Sequence, residues 1–255
     1  MTEDRAERAA ALLVAARTGD RLRDLPEDCR PRTAEEAYAI QDVVLARTGP
    51  AHAWKVGAKT PEAEPACAPM PAATVHPSPA ALPGDAFGVR LIEAEIAYRF
   101  GRPLPPRPQP YTTDEVLAAV DAVLPGIEVV DGRFQDRNAV DALSILADNI
   151  TSGAYVTGAP VTDWRRVDPA RQGVQLRVNG AIVVDTVGGN PAGGDLTRLL
   201  VWTANALSMR GHGLKPGDIV TTGSCTGMTP VGPGDTVEAE FPGLGTVSLR
   251  FTPPM

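Results

Sequence analysis

The run RLIEAEIAYRF, residues 90–100, constrains this chain more than any other. Its alternation places Ile92, Ala94, Ile96, Tyr98 and Phe100 on one face of a strand, and Glu93, Glu95 and Ala97 on the other, because successive strand side chains point to opposite faces. The first face is apolar enough to cross a core. The second carries two carboxylates whose Cα atoms lie roughly 6.5–7 Å apart, so flexible glutamates can converge on one point. On a buried strand they repel, and one is driven to protonate. A hard divalent cation removes that cost, since Mg²⁺ and Mn²⁺ favour oxygen ligands. A solvated outer sheet face removes it too. Spacing alone leaves both readings open.

A third carboxylate bears on the choice. The segment LPGIEVVDGRF sets Glu128 inside the apolar run 127–130, just after a helix stop. A glutamate there is costly unless it is paired or ligated, and Arg133 is the alternative partner. Three carboxylates on a strand scaffold make a site for Mg²⁺ or Mn²⁺ with positions open for a chelating substrate. Lys55, in WKVGA, either points to solvent or supplies a fixed inward cation for a substrate carboxylate or proton transfer.

Around these residues the sequence reads as a small helical start and a larger β body. RAERAAALLVAART reads as a helix stopped at Gly19, and Thr33 with Glu36 opens a second through a capping box. AWKVGA is a short strand, and residues 60–85, rich in Pro and Ala, read as a loop over a site. TTDEVLAAVDAVLPG reads as a helix capped by Thr112 and Glu115 and stopped at Pro125-Gly126. VQLRVNGAIVVDT is a hairpin turning on Asn179-Gly180. The helix of residues 195–213 ends at glycine, and DTVEAEFPGLGTVSLRF closes the chain as two strands. The recurring Pro-Gly-Asp at 83–85, 216–218 and 233–235 is reused turn chemistry. There is no βαβ rhythm, and GGNPAGG lacks dinucleotide-site spacing. The fold class is therefore α+β with a mostly antiparallel body. Residues 1–70 form a helical N-terminal region with its loop, and 71–255 a β-rich catalytic domain.

Composition excludes several partners. A net charge of −7 and a pI near 5.0 lack the basic footprint that nucleic acid or anionic membrane requires. No apolar run approaches the ~20 residues of a membrane helix. Cys29, Cys67 and Cys225 form no CxxC pair and read as reduced cytoplasmic thiols. His52, His76 and His212 sit in no recognisable catalytic motif.

Seven segments in order, WKVGAKT, LIEAEIAYRF, LPGIEVVDGRF, ADNITSGAYVTG, GGNPAGGDLTRLLVWTANAL, LKPGDIVTTGS and PGDTVEAEFPGLGTVSLRF, resemble the fumarylacetoacetate hydrolase superfamily and its 2-keto-4-pentenoate hydratase branch. The resemblance covers residues 54–251. It implies a β-roll or sandwich body of that type and an Mg²⁺ or Mn²⁺ ion on Glu93, Glu95 and Glu128. It also implies Lys55 and Asp148 as catalytic groups, and Lys55, Thr151 and Ser224 as substrate contacts. Pro69 falls where the family carries a loop aspartate, and Thr151 replaces a serine while keeping a hydroxyl. The activity implied is hydration of a 2-hydroxy-2,4-dienoate to a 4-hydroxy-2-oxo acid in aromatic catabolism, by a cytoplasmic homo-oligomer that could associate with a related decarboxylase or aldolase. The alternatives are a decarboxylase of the 4-oxalocrotonate type, a C–C hydrolase of acylpyruvates, and a non-catalytic subunit.

Overall fold

The alternating run becomes the middle of a sheet. In the computed structural model, which describes residues 1–253, strand β5 (Leu91–Phe100) follows β1 (Ala51–Gly57), β2 (Ala66–Pro71), β3 (Val75–Pro77) and β4 (Ala80–Pro83). After it come β6 (Val120–Val130), β7 (Ser152–Thr157), β8 (Gly173–Val178), β9 (Ala181–Val187), β10 (Ile219–Ser224), β11 (Thr229–Pro230), β12 (Thr236–Phe241) and β13 (Gly245–Thr252). The helices are α1 (Glu3–Ala15), α2 (Ala34–Thr48), α3 (Thr113–Ala119), α4 (Ala142–Ala147) and α5 (Thr197–Met209).

Two sheets hold the strands. The larger has eight, in the order β2-β1-β10-β5-β6-β7-β3, with β11 added to β5; the smaller runs β4-β13-β12-β8-β9. The apolar face of β5, Ile92 through Phe100, is fully buried in the main core with Val237, Phe241, Leu249 and Phe251 of the second sheet. Each such Ile or Phe contributes about 1.5–3 kcal/mol by leaving water. The opposite face of β5 is left for the glutamates. A second core joins α1 and α2, through Ala9, Leu13, Ile40 and Val44, to Phe134, Leu146 and Ala147. The buried cysteines Cys67 and Cys225 have thiols pushed up to about 11 and about 12 by burial, which leaves them unreactive packing groups.

Several local expectations change. Helix α3 ends at Ala119, and residues 120–130 continue as strand β6 straight through Pro125-Gly126. Proline is accepted there because β7 pairs only from Gly126 onward. The Pro125 carbonyl takes the Gly158 N–H at 2.8 Å, and its missing N–H would have faced that same side, beyond the end of β7. Half of residues 60–85 lies in strands β2, β3 and β4 rather than in a loop: β2 lies at the sheet edge, where prolines cost no ladder bond. The body is mostly antiparallel, as the sequence implies, with parallel pairs β1–β10, β3–β7 and β4–β13 added. At α2 the Thr33 hydroxyl caps Glu36 N, but the Glu36 carboxylate reaches back to Arg32 N, so the box is displaced by one residue. The Thr112–Glu115 box is complete. The β8–β9 hairpin turns on Asn179 and Gly180 at φ of 51° and 80°, the signature of a type I′ turn.

Candidate metal centre

The register of two adjacent strands assembles the carboxylates. Glu93 stands directly opposite Glu128 in the β5–β6 ladder, and Glu95 lies two residues along on the same face. One carboxylate oxygen from each of the three lies within 4.8 Å of the others. Glu95 and Glu128 are buried and Glu93 is half-buried. Like charges directly opposite destabilise a sheet, so the cluster needs compensation.

Lys55 supplies part of it. Trp54 and Val56 pack into the main core, which turns Lys55 of β1 to the other face. Its Nζ donates to Glu128 Oε1 at 2.5 Å and to the Ile150 carbonyl at 3.2 Å. Burial opposes its charge, but Glu128, Glu95 and Glu93 outweigh burial and hold the ammonium above its ordinary value. The Ile150 carbonyl is presented by an unusual turn, in which Asn149, Ile150 and Thr151 have φ of 49°, 51° and 58°. Three consecutive left-handed non-glycine residues each cost on the order of 1–3 kcal/mol. The turn is held by Asp131 N–H on the Thr151 carbonyl at 2.8 Å and by Asn149 Nδ2 on the Pro69 carbonyl at 3.3 Å. Pro69 thus meets this turn through its backbone.

A third row fixes Glu95. Thr221 of β10 donates its hydroxyl to Glu95 Oε2, and Tyr155 of β7 donates to Thr221 Oγ1 at 2.9 Å. The tyrosine crosses β6 to get there, over Gly126: a Cβ at that position would meet Tyr155 Oη at 1.9 Å. Glycine is therefore required at the residue the sequence offered as a helix stop.

One ammonium against three carboxylates leaves two negative charges in a largely buried cluster. Burial and then repulsion from Glu128 push the Glu93 carboxyl up, and the same two causes push Glu95 well up. Glu128 Oε2 is buried with no hydrogen-bond partner. Three hard oxygen donors, a two-charge deficit and an orphaned carboxylate oxygen fit a divalent cation of the Mg²⁺ type.

The cluster opens into a cavity of about 600 Å³. Lys55, Glu93, Glu95, Glu128, Thr151 and Ser224 all line it. Asp148 does not. Its carboxylate is taken by Arg133, through the backbone N–H at 2.8 Å and through Nε, with both residues about 2% exposed. Arg133 is accordingly no partner of Glu128. None of His52, His76 and His212 lines the cavity; His212 pairs with Asp42 at 2.9 Å. Of the Pro-rich segment, Ala63, Glu64 and Ala66 line the cavity, and this part is held to α5 by Trp202 Nε1 on Glu64 at 2.6 Å and Arg198 on the Thr60 carbonyl at 3.0 Å. Thr221, Tyr155 and Arg137 escaped the sequence reading, since only strand register and loop path bring them here.

A family model described as fumarylacetoacetate (FAA) hydrolase C-terminal matches residues 42–252. The chain belongs to the fumarylacetoacetate hydrolase family. Among curated members of the family, a 4-oxalocrotonate decarboxylase of Pseudomonas putida is 38% identical over 160 residues, covering 63% of this chain and 59% of that protein. A 2-keto-4-pentenoate hydratase of Paraburkholderia xenovorans is 36% identical over 160 residues, 63% of this chain and 58% of the relative. These alignments span less than two thirds of the relatives' length. The solved 4-oxalocrotonate decarboxylase from Pseudomonas putida G7, complexed with magnesium and adipate, superposes with a TM-score of 0.85 at 26% identity over 98% of both chains. Among the described residues no helix is long and apolar enough to cross a membrane.

Proposed function

We propose that this chain is a metal-dependent lyase that converts a 2-hydroxy-2,4-dienoate, through its 2-oxo-3-enoate tautomer, to a 4-hydroxy-2-oxo acid. The observation that carries the reading is the largely buried Glu93–Glu95–Glu128 cluster, which has Lys55 in direct ionic contact and opens to a cavity of substrate size. Relatives named as hydratases support it.

Glu93, Glu95 and Glu128 would hold the divalent ion, which supplies Lewis acidity for the C1 carboxylate and C2 oxygen of a 2-oxo acid. Lys55 spends two N–H groups on Glu128 and Ile150 and keeps a third for a substrate oxygen or proton relay. Ketonisation moves the enol proton to C5. Water then adds its hydroxyl at C4 and a proton at C3, so the product gains one water. Thr151 and Ser224 place hydroxyls on the cavity wall to orient the acid. Asp148, locked by Arg133, is left out of the proton path.

Decarboxylation of a 4-oxalocrotonate-type acid is the second reading, favoured by the full-length superposition on a decarboxylase. It draws on the same stabilisation of charge at the C2 oxygen. The test follows the ultraviolet absorbance of fresh 2-hydroxypenta-2,4-dienoate with Mg²⁺, Mn²⁺ or chelator, with product masses. Metal-dependent dienol loss with a gain of one water supports hydration, and CO₂ release from 4-oxalocrotonate supports the second reading. Turnover that survives chelator or Glu93→Gln removes the metal from the proposal.

A further inference from the structure

Strand β10 carries one residue too many beside β5. Thr221 pairs with Ala97 and Ser224 with Glu95, so Thr222 and Gly223 together stand against the single residue Ile96, which makes a β-bulge. Without it, Thr221 and Ser224 would point to opposite faces, because strand side chains alternate. With it, both stand on the glutamate face: Thr221 donates to Glu95, and Ser224 lines the cavity. Val220 and Cys225, on either side, both pack into the main core. Gly223 has a φ of 89°, a conformation that costs glycine little and other residues much.

A bulge disrupts the ladder locally, and one side chain reaches the carbonyls there. Asn190 Nδ2 donates to the Thr222 carbonyl at 2.9 Å and to the Gly223 carbonyl at 3.1 Å. Its Oδ1 accepts the Ala192 N–H at 2.9 Å, so the amide is engaged at both ends. Asn190 belongs to GGNPAGG, the motif whose spacing fits no dinucleotide site. The loop lies close against β10: a Cβ at Gly189 would meet the Cys225 carbonyl oxygen at 2.4 Å. We infer that Asn190 is a positioning residue, which turns the Ser224 hydroxyl into the cavity by holding the β10 bulge. Thr221 lies before the bulge, in register with Lys55 and Ala97, so its hold on Glu95 does not depend on Asn190. That Ser224 then orients a bound acid rests on the proposed 2-oxo-acid reading.

Two measurements test it, on Asn190→Ala and on Asn190→Asp, which keeps the acceptor for Ala192 and loses only the donors. The first is amide hydrogen exchange by NMR. The Cys225 N–H, bonded to the Ala94 carbonyl at 2.8 Å just past the bulge, should lose protection about ten-fold in both variants, with β12 and β13 unchanged. A loss spread evenly over all strands makes Asn190 a general stabiliser and overturns the inference. So does an Asn190→Asp variant that matches the wild type, since the Ala192 bond would then be the one that matters. The second measurement is calorimetric titration of Mg²⁺, and of 2-oxopentanoate into the Mg²⁺-loaded protein. Asn190→Ala should keep its Mg²⁺ affinity and bind the acid about ten-fold more weakly. Ser224→Ala should weaken the acid similarly, and the double variant no further, as for residues that act through one another. Losses that simply add, or an acid affinity unmoved in both single variants, overturn the inference and leave the 2-oxo-acid reading intact. A wild type that binds Mg²⁺ but no 2-oxo acid sinks that reading, and the exchange data alone then decide whether Asn190 holds the bulge.

Discussion

Glu93 and Glu128 face each other directly across the β5–β6 ladder, in a register position where like charges repel. The sheet nonetheless keeps Glu128 fully buried and leaves one of its oxygens without a hydrogen bond. The pair is stable only with positive charge between its oxygens, and Lys55 neutralises one carboxylate of three. The chain therefore gives up some stability in its metal-free form to keep a cation site assembled.

That deficit has a pH signature. Burial, then repulsion from Glu128, raise Glu93 and Glu95 above the ordinary glutamate value of 4.5. The folded state then holds more protons than the unfolded state above that value, so metal-free stability falls as pH rises. Thermal melts in chelator should show a falling midpoint from weakly acid to neutral pH. Glu95→Gln should flatten the slope, and Mg²⁺ should raise the wild-type midpoint most at the high-pH end. A slope unchanged by Glu95→Gln places the titration elsewhere.

Lys55→Met leaves Glu128 buried beside two other carboxylates with no cation in contact. Removing one partner of a buried pair costs about 3–5 kcal/mol. The loss should be larger at pH 8 than at pH 5, because protonation of the cluster substitutes for the ammonium. Denaturant titrations of Lys55→Met and of Lys55→Met with Glu128→Gln measure this, and the double variant should recover much of the stability. Metal affinity should fall in the double variant only. Equal affinity for Mg²⁺ in both would take Glu128 out of the donor set.

How much of this could be read from the chain alone depends on how local each signal was. Alternation over 90–100 sufficed to place Glu93 and Glu95 on one face, because strand parity needs no partner. The Asn179-Gly180 hairpin and the Thr112–Glu115 box were equally local. Pro125-Gly126 misled because both residues ordinarily stop helices; here the glycine makes room for Tyr155, a residue 29 positions on that no local pattern connects to it. The Pro-rich stretch hid strand β2 because prolines are tolerated at a sheet edge, and edge status is a property of the whole sheet. Asp148 reads as a pocket residue from the resemblance of its segment, and the side chain that pairs with it, Arg133, stands in the sequence only as an alternative partner for Glu128.

Gly126 gives a direct check on the Tyr155–Thr221–Glu95 chain. Gly126→Ala sets a methyl 1.9 Å from Tyr155 Oη and 2.4 Å from Cζ, so the ring must leave. Overpacking of this kind costs about 1–3 kcal/mol, and Glu95 loses the orientation that reaches it through Thr221. Both stability and Mg²⁺ affinity should drop. Tyr155→Phe alone should cost about 1 kcal/mol and should relieve Gly126→Ala only in part, since the ring carbon remains in the way. Full relief would mean that the hydroxyl alone makes the clash.

Asp148 separates a structural role from a chemical one. Its carboxylate is buried, and Arg133 meets it through backbone and side chain while also donating Nη1 to the carbonyls of Asp131 and Ser152 at 2.6 and 2.7 Å. Asp148→Asn leaves a buried guanidinium without its counter-charge, next to the strained turn that presents Ile150 to Lys55. The expected result is a loss of about 3–5 kcal/mol in denaturant titration, with weakened activity whose pH profile keeps its shape. The profile is the deciding measurement, since a general base contributes a limb of its own to the pH dependence of kcat/KM. A variant as stable as the wild type that has lost the acid limb would return Asp148 to the chemistry. A destabilised variant with both limbs in place assigns it to holding the turn.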